Sequence, residues 1–132
     1  MLGTLMSETR GKRIVRRVLS TEPVKVEVSF EDGGKLLGID CTGFGTYQAV
    51  VSPDGTLYGE GEGVSTTKNG EMASWKGSGR GRLKPGGAVS YRGILYFSTA
   101  SEKLAQLNTV AGIFEYEVDK AGKTHSKVWE WK

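Results

Sequence analysis

Apolar and polar residues alternate with period two along most of this chain. Val24, Val26, Val28 and Phe30 fall on one side of a segment, with Lys25, Glu27 and Ser29 on the other. Successive side chains of a strand point to opposite faces, so the pattern predicts a half-buried β-strand. Glu31-Asp32-Gly33-Gly34 then reads as a turn, with further strand patterns over about 35–42 and 44–52. Ser52-Pro53-Asp54-Gly55 is a second turn, because Pro53 presets φ and Gly55 tolerates positive φ. Strand patterns resume over 56–66, up to about Leu83, and over 88–99. Phe114, Tyr116 and Val118 alternate again. After a turn at Lys120-Ala121-Gly122, His125, Lys127, Trp129 and Trp131 share one face. Residues 12–20 also read as a strand. Residues 1–10 are expected to be disordered, with Met1 or Met6 as the start, and 11–132 form one domain.

The sharpest local signal is Lys68-Asn69-Gly70-Glu71. Asn-Gly is a preferred two-residue hairpin turn. A turn of that kind sets Val64 opposite Trp75, Glu62 opposite Gly77 and Glu60 opposite Gly79. It places Tyr58, Glu60, Glu62, Val64, Trp75, Gly77, Gly79 and Gly81 on one face, expected to be the interior. Gly59, Gly61, Gly63, Lys76, Arg80 and Arg82 fall on the other. The alternating glycines of 59–63 and 77–81 mark places where a bent sheet makes room. For the following strand two registers stay open. One turns Arg92, Ile94 and Tyr96 inward, the other Tyr91, Leu95 and Phe97.

One segment departs from the alternation. Thr99-Ala100-Ser101-Glu102 has the form of a capping box and precedes Lys103 to Asn108, predicting a short helical segment near 100–108 with Leu104 and Leu107 inward. The expected fold is therefore all-β: a closed antiparallel barrel of eight or nine strands, whose closure removes exposed edges.

Composition narrows function more by exclusion. With 132 residues and 37% hydrophobic content the chain suits one folded domain. No apolar run approaches the ~18 residues of a membrane helix, no signal-peptide core is evident, and cytoplasmic residence is the expectation. Cys41 is the only cysteine, so no internal disulfide forms. It reads as a buried, inert thiol. His125 is the only histidine, which argues against a zinc site. Gly122-Lys123-Thr124 lacks the earlier glycine of a phosphate-binding loop and leads into a strand. No cofactor or metal is expected. The net charge of +3 permits weak attraction to anions. Lys76, Arg80, Arg82 and Lys84, and Lys12, Arg13, Arg16 and Arg17, form basic stripes, but the recognised RNA-binding motifs are missing.

The candidate pocket comprises Tyr58, Glu60, Glu62, Trp75, Arg92 and Tyr96. Aromatic walls with a few polar groups suit a small, partly apolar ligand. In a second reading Glu60 or Glu62 is the acid or base of a cyclase, isomerase or hydrolase, with Tyr58, Tyr91 or Tyr96 donating hydrogen bonds. In a third the barrel is solid and its outer face builds an oligomer.

The second half resembles the small barrels of the allene oxide cyclase-like group. The resemblance rests on Tyr58-Gly59-Glu60-Gly61-Glu62-Gly63, on Tyr91-Arg92-Gly93, on Ser101-Glu102-Lys103-Leu104 through Leu107, Gly112 and Phe114, and on the closing Glu130-Trp131. It implies an eight-stranded, lipocalin-like barrel that associates into homo-oligomers. The plant cyclase of that group holds an unsaturated fatty-acid epoxide in an apolar barrel. Its functional residues have no residue-by-residue match here, so no activity is carried over.

Overall fold

The computed structural model describes residues 2–132. Eight antiparallel strands follow one another around a closed barrel: β1 (Leu2–Thr21), β2 (Val24–Leu36), β3 (Ile39–Val51), β4 (Thr56–Thr67), β5 (Met72–Leu83), β6 (Val89–Thr99), β7 (Ala111–Val118) and β8 (Lys123–Trp131). Each strand pairs with its sequence neighbour, and β1 pairs with β8 to close the ring. Residues 2–10, expected to be disordered, belong to β1, where Met6 is buried and Ser7 to Lys12 pair with Val128 to Lys123.

The alternation of β2 runs further than the sequence reading allowed. Glu31 to Gly34 is strand, not turn, and continues the inward series Val28, Phe30, Asp32, Gly34, Leu36. The chain reverses instead at Leu37-Gly38, both at positive φ (51° and 78°). Gly34 lies in the strand because β1 approaches it closely. A Cβ there would stand 2.1 Å from the Glu8 carbonyl oxygen.

The Asn69-Gly70 hairpin is also one residue longer than expected. The Thr67 amide donates to the Glu71 carbonyl and the Gly70 amide to the Thr67 carbonyl, with Gly70 at φ 85°. This is a three-residue loop whose glycine takes the left-handed position. The pairing becomes Gly63 with Trp75, Gly61 with Gly77 and Gly59 with Gly79. A slip of one residue turns every side chain of a strand to the other face. The expected faces therefore hold for β5 and invert for β4.

β6 takes the second of its two open registers, with Tyr91, Leu95 and Phe97 buried. In β8 the inward residues are Thr124, Ser126 and Val128. His125, Lys127, Trp129 and Trp131 share the outer face, where Trp129 pairs across strands with Leu5 and Ile113. Trp129 and Trp131 therefore lie outside the barrel core.

The expected helix is a single 3-10 turn, Ala105–Thr109. The capping box does not form. The Thr99 hydroxyl accepts the Ser101 amide and donates to the Met72 carbonyl, and the Ser101 hydroxyl donates to Glu71. Asn108 closes the segment instead, accepting the Thr99 amide and donating to the Thr99 carbonyl. Leu104 and Leu107 point inward as expected, each with no exposed surface. They plug one barrel end against Met6, Leu36, Cys41, Phe97 and Val128. A second apolar cluster, with Ala49, Leu57, Val89 and Val118, fills the opposite end.

Candidate functional site in the barrel interior

Between these two clusters the interior is not filled. A cavity of about 100 Å³ lies there, lined by Phe30, Tyr47, Trp75, Tyr91, Phe114 and Tyr116 among its aromatic walls. The same glycines that drew attention in the sequence form its floor: Gly59, Gly61, Gly77 and Gly79 all face it. Bare backbone lets neighbours close in: a Cβ at Gly61 would stand 2.6 Å from the Tyr47 Cβ and one at Gly79 2.9 Å from the Phe114 Cζ. The rings pack on one another, with Phe30 and Tyr116 centroids 5.6 Å apart and Phe30 and Trp75 stacked at 6.3 Å. Such spacing suits edge and offset aromatic contacts.

Asp32 brings a carboxyl group into this wall. Glycine flanks it on both neighbouring strands, Gly11 on β1 and Gly43 on β3. A Cβ at Gly43 would stand 3.0 Å from Asp32 Oδ1, and one at Gly11 would stand 2.7 Å from the Asp32 Cβ. The Thr9 hydroxyl donates to Asp32 Oδ2 at 3.1 Å. Burial raises the Asp32 pKa above the ordinary value and the Thr9 bond partly offsets it.

Three phenols complete the polar groups. Burial raises the pKa of Tyr47, Tyr91 and Tyr116, so all three stay neutral and can donate hydrogen bonds. Tyr116 is 8% exposed, and its hydroxyl is buried without a hydrogen-bond partner of proper geometry. The neighbouring Tyr116 hydroxyl favours ionisation of Tyr47, whereas Tyr47 and the Asp32 charge both oppose ionisation of Tyr116. A buried, unpaired hydroxyl carries a desolvation cost of ~1–3 kcal/mol. Arg13 and Arg16 lower the Tyr47 pKa weakly and do not line the cavity.

Of the residues expected in the pocket, only Trp75 contributes its side chain to the interior. Tyr58, Glu60 and Glu62 lie on the outer face of β4, because the hairpin is one residue longer. There the Tyr58 hydroxyl donates to Glu60 at 3.0 Å and the Arg80 guanidinium lies 5.1 Å from the Tyr58 ring centre. Arg92 is also outside, paired with Glu117 at 2.9 Å and Glu115 at 3.7 Å. Tyr96 is 61% exposed. The acid–base role considered for Glu60 or Glu62 thus loses its enclosed setting. Sequence reasoning missed Asp32 because Asp-Gly-Gly reads as a turn. The inward series from Val24 through Leu36 was the signal that would have found it.

Elsewhere, His125 Nε2 and Glu8 Oε2 lie 2.7 Å apart on the outer face, and that bond lowers the Glu8 pKa. Among the described residues no three His, Cys, Asp or Glu side chains gather as a metal site requires. No helix among them is long and apolar enough to cross a membrane.

No family model matches the chain, and no curated protein matches it in sequence. Solved structures do resemble it. A protein of unknown function from Clostridium acetobutylicum superposes with a TM-score of 0.81 at 11% identity, covering 93% of each chain. A conserved protein of unknown function from Rhodopseudomonas palustris does so with a TM-score of 0.76 at 14% identity, covering 98% of this chain and 99% of the other. At such identities the likeness carries the fold alone. The chain is an eight-stranded closed barrel, and these neighbours lend no support to the narrower allene oxide cyclase-like grouping.

Proposed function

We propose that this barrel binds a small, partly apolar molecule in its interior. The observation that carries the reading is the cavity itself, walled by aromatic rings and provided with an unpaired Tyr116 hydroxyl and the Asp32 carboxyl. Ligand sites combine apolar walls with a few placed polar groups. A water-filled interior would leave the same groups solvated, so the reading requires a solute that competes with water.

Size bounds the ligand. About 100 Å³ corresponds to the share of liquid volume of roughly three waters. Drug-sized ligands occupy pockets of ~300–1,000 Å³. A fatty-acid epoxide, the substrate of the plant enzyme in the resembling group, exceeds this space. The proposed ligand has a handful of non-hydrogen atoms, or places only such a group inside.

The test is a fragment screen by amide chemical-shift mapping on the full chain. Shifts concentrated on Phe30, Asp32, Trp75 and Tyr116 support the reading. A screen in which no soluble fragment of this size perturbs these inward residues overturns it.

A further inference from the structure

The cavity has a sign as well as a size. Its lining contains no lysine, arginine or histidine. Two acidic residues border it, but Glu60 directs its side chain to the outer face, where Tyr58 donates to it. Asp32 is therefore the one ionisable carboxyl turned inward, packed between the bare backbone of Gly11 and Gly43. Around it stand aromatic side chains from four other strands: Tyr47 (β3), Trp75 (β5), Tyr91 (β6), Phe114 and Tyr116 (β7), with Phe30 two residues before it on β2. Aromatic faces attract cations through the ring quadrupole, and the attraction grows when water is excluded. A buried carboxylate needs a counter-charge or hydrogen bonds, and Asp32 has only the Thr9 hydroxyl as a side-chain donor.

We infer that the interior is selective for a small organic cation, an alkylammonium group seated against Asp32 and the aromatic walls. This rests on the ligand-binding reading above and narrows it to one chemical class. The ammonium group supplies the charge that Asp32 lacks, and its methyl or methylene groups face the rings. Tyr116, with its free hydroxyl, accepts a hydrogen bond where the ammonium still bears a proton, or donates to a neighbouring oxygen of the ligand. A neutral molecule of the same shape fills the space but leaves the carboxylate uncompensated. An anion meets Asp32 as a like charge. Arg13 and Arg16 act on Tyr47, and Arg13 on Tyr116, but neither lines the cavity or compensates Asp32.

Three probes of similar bulk test it: tetramethylammonium, tert-butanol and trimethylacetate, which are cationic, neutral and anionic. Each is titrated into the full chain and followed by the amide shifts of Asp32, Trp75 and Tyr116. The expected result is that tetramethylammonium binds at least ~10-fold more tightly than either other probe. Asp32→Asn is expected to erase that preference by weakening tetramethylammonium binding. Equal or tighter binding of tert-butanol or trimethylacetate overturns the cation and leaves the ligand-binding interior standing. Failure of all three probes, with no other fragment found, overturns both. The wild-type ranking decides the matter even where Asp32→Asn does not fold.

Discussion

Gly63 on β4 faces Trp75 on β5, and a Cβ at Gly63 would stand 2.6 Å from the indole Cε2 and Cζ2 atoms. The absent side chain is what lets the indole lie flat beneath β4 and wall the cavity. Gly63→Ala forces the ring off its position against Phe30, with which it stacks at 6.3 Å. Overpacking of this kind costs ~1–3 kcal/mol. Urea denaturation is expected to report a lower midpoint at unchanged slope, together with a shifted Trp75 fluorescence maximum. A variant as stable as wild type would mean that the indole has room elsewhere.

That relationship also measures what the sequence made legible. Period-two alternation identified the strands because each is half-buried, and it put Trp75, Gly77 and Gly79 on the inner face as found. The inversion of β4 came from one loop residue: Lys68-Asn69-Gly70 uses its glycine to end a three-residue turn. Both loop lengths satisfy the local chemistry of Asn-Gly, so the decision lies in packing across β4 and β5. Leaving Gly63 opposite the largest side chain in the strand pair is favourable; setting Val64 there would bury a β-branched residue against the ring and turn Glu60 and Glu62 into an enclosed interior. Burying two carboxylates without partners carries a heavy cost. Residues 31–34 failed for the converse reason. Glycine that ordinarily marks a turn serves here, at Gly34, as the point where β1 and β2 nearly touch.

The plug predicts a second outcome. Leu104 has no exposed surface and seals one barrel end with Leu107. Leu104→Ala removes its buried methyl groups, and such truncations cost ~2–5 kcal/mol. Thermal unfolding is expected at a clearly lower temperature, and amide exchange of Leu95 and Phe97 should accelerate. Wild-type stability in this variant would show that the segment after β6 is not part of the core.

Cys41 gives a probe of barrel opening. It is buried in the plugged cluster, and burial together with the Asp32 and Asp40 charges raises its pKa. Both effects keep the thiol protonated, and the thiolate is the reactive form. A disulfide reagent is therefore expected to modify native protein far more slowly than urea-unfolded protein. Rapid labelling of the native chain would contradict a sealed end.

The outer carboxylates separate the two faces of β4. Glu60 and Glu62 are exposed, and Glu62 pairs across strands with Lys76. Replacing both by glutamine is expected to leave the denaturation midpoint and the binding of any interior probe unchanged. Loss of interior binding in this double variant would restore these residues to the pocket and reject the register drawn here.

Asp32 carries the most discriminating prediction, because its stability and binding effects have opposite signs. Burial raises its folded-state pKa above the unfolded one. Stability linked to such a group is fully present below the unfolded pKa of ~3.9 and is lost as pH rises through the folded value. The ionised carboxylate thus weighs against the fold at neutral and alkaline pH. Asp32→Asn keeps an acceptor for Thr9 and removes the charge. Chemical denaturation at about pH 8 is expected to find the variant more stable than wild type, with the advantage shrinking as pH falls toward the carboxyl range. Tetramethylammonium should reverse the order by stabilising only the wild type, since a ligand stabilises the state it binds. A variant less stable than wild type at about pH 8 without ligand would mean that the carboxylate is already compensated inside the barrel.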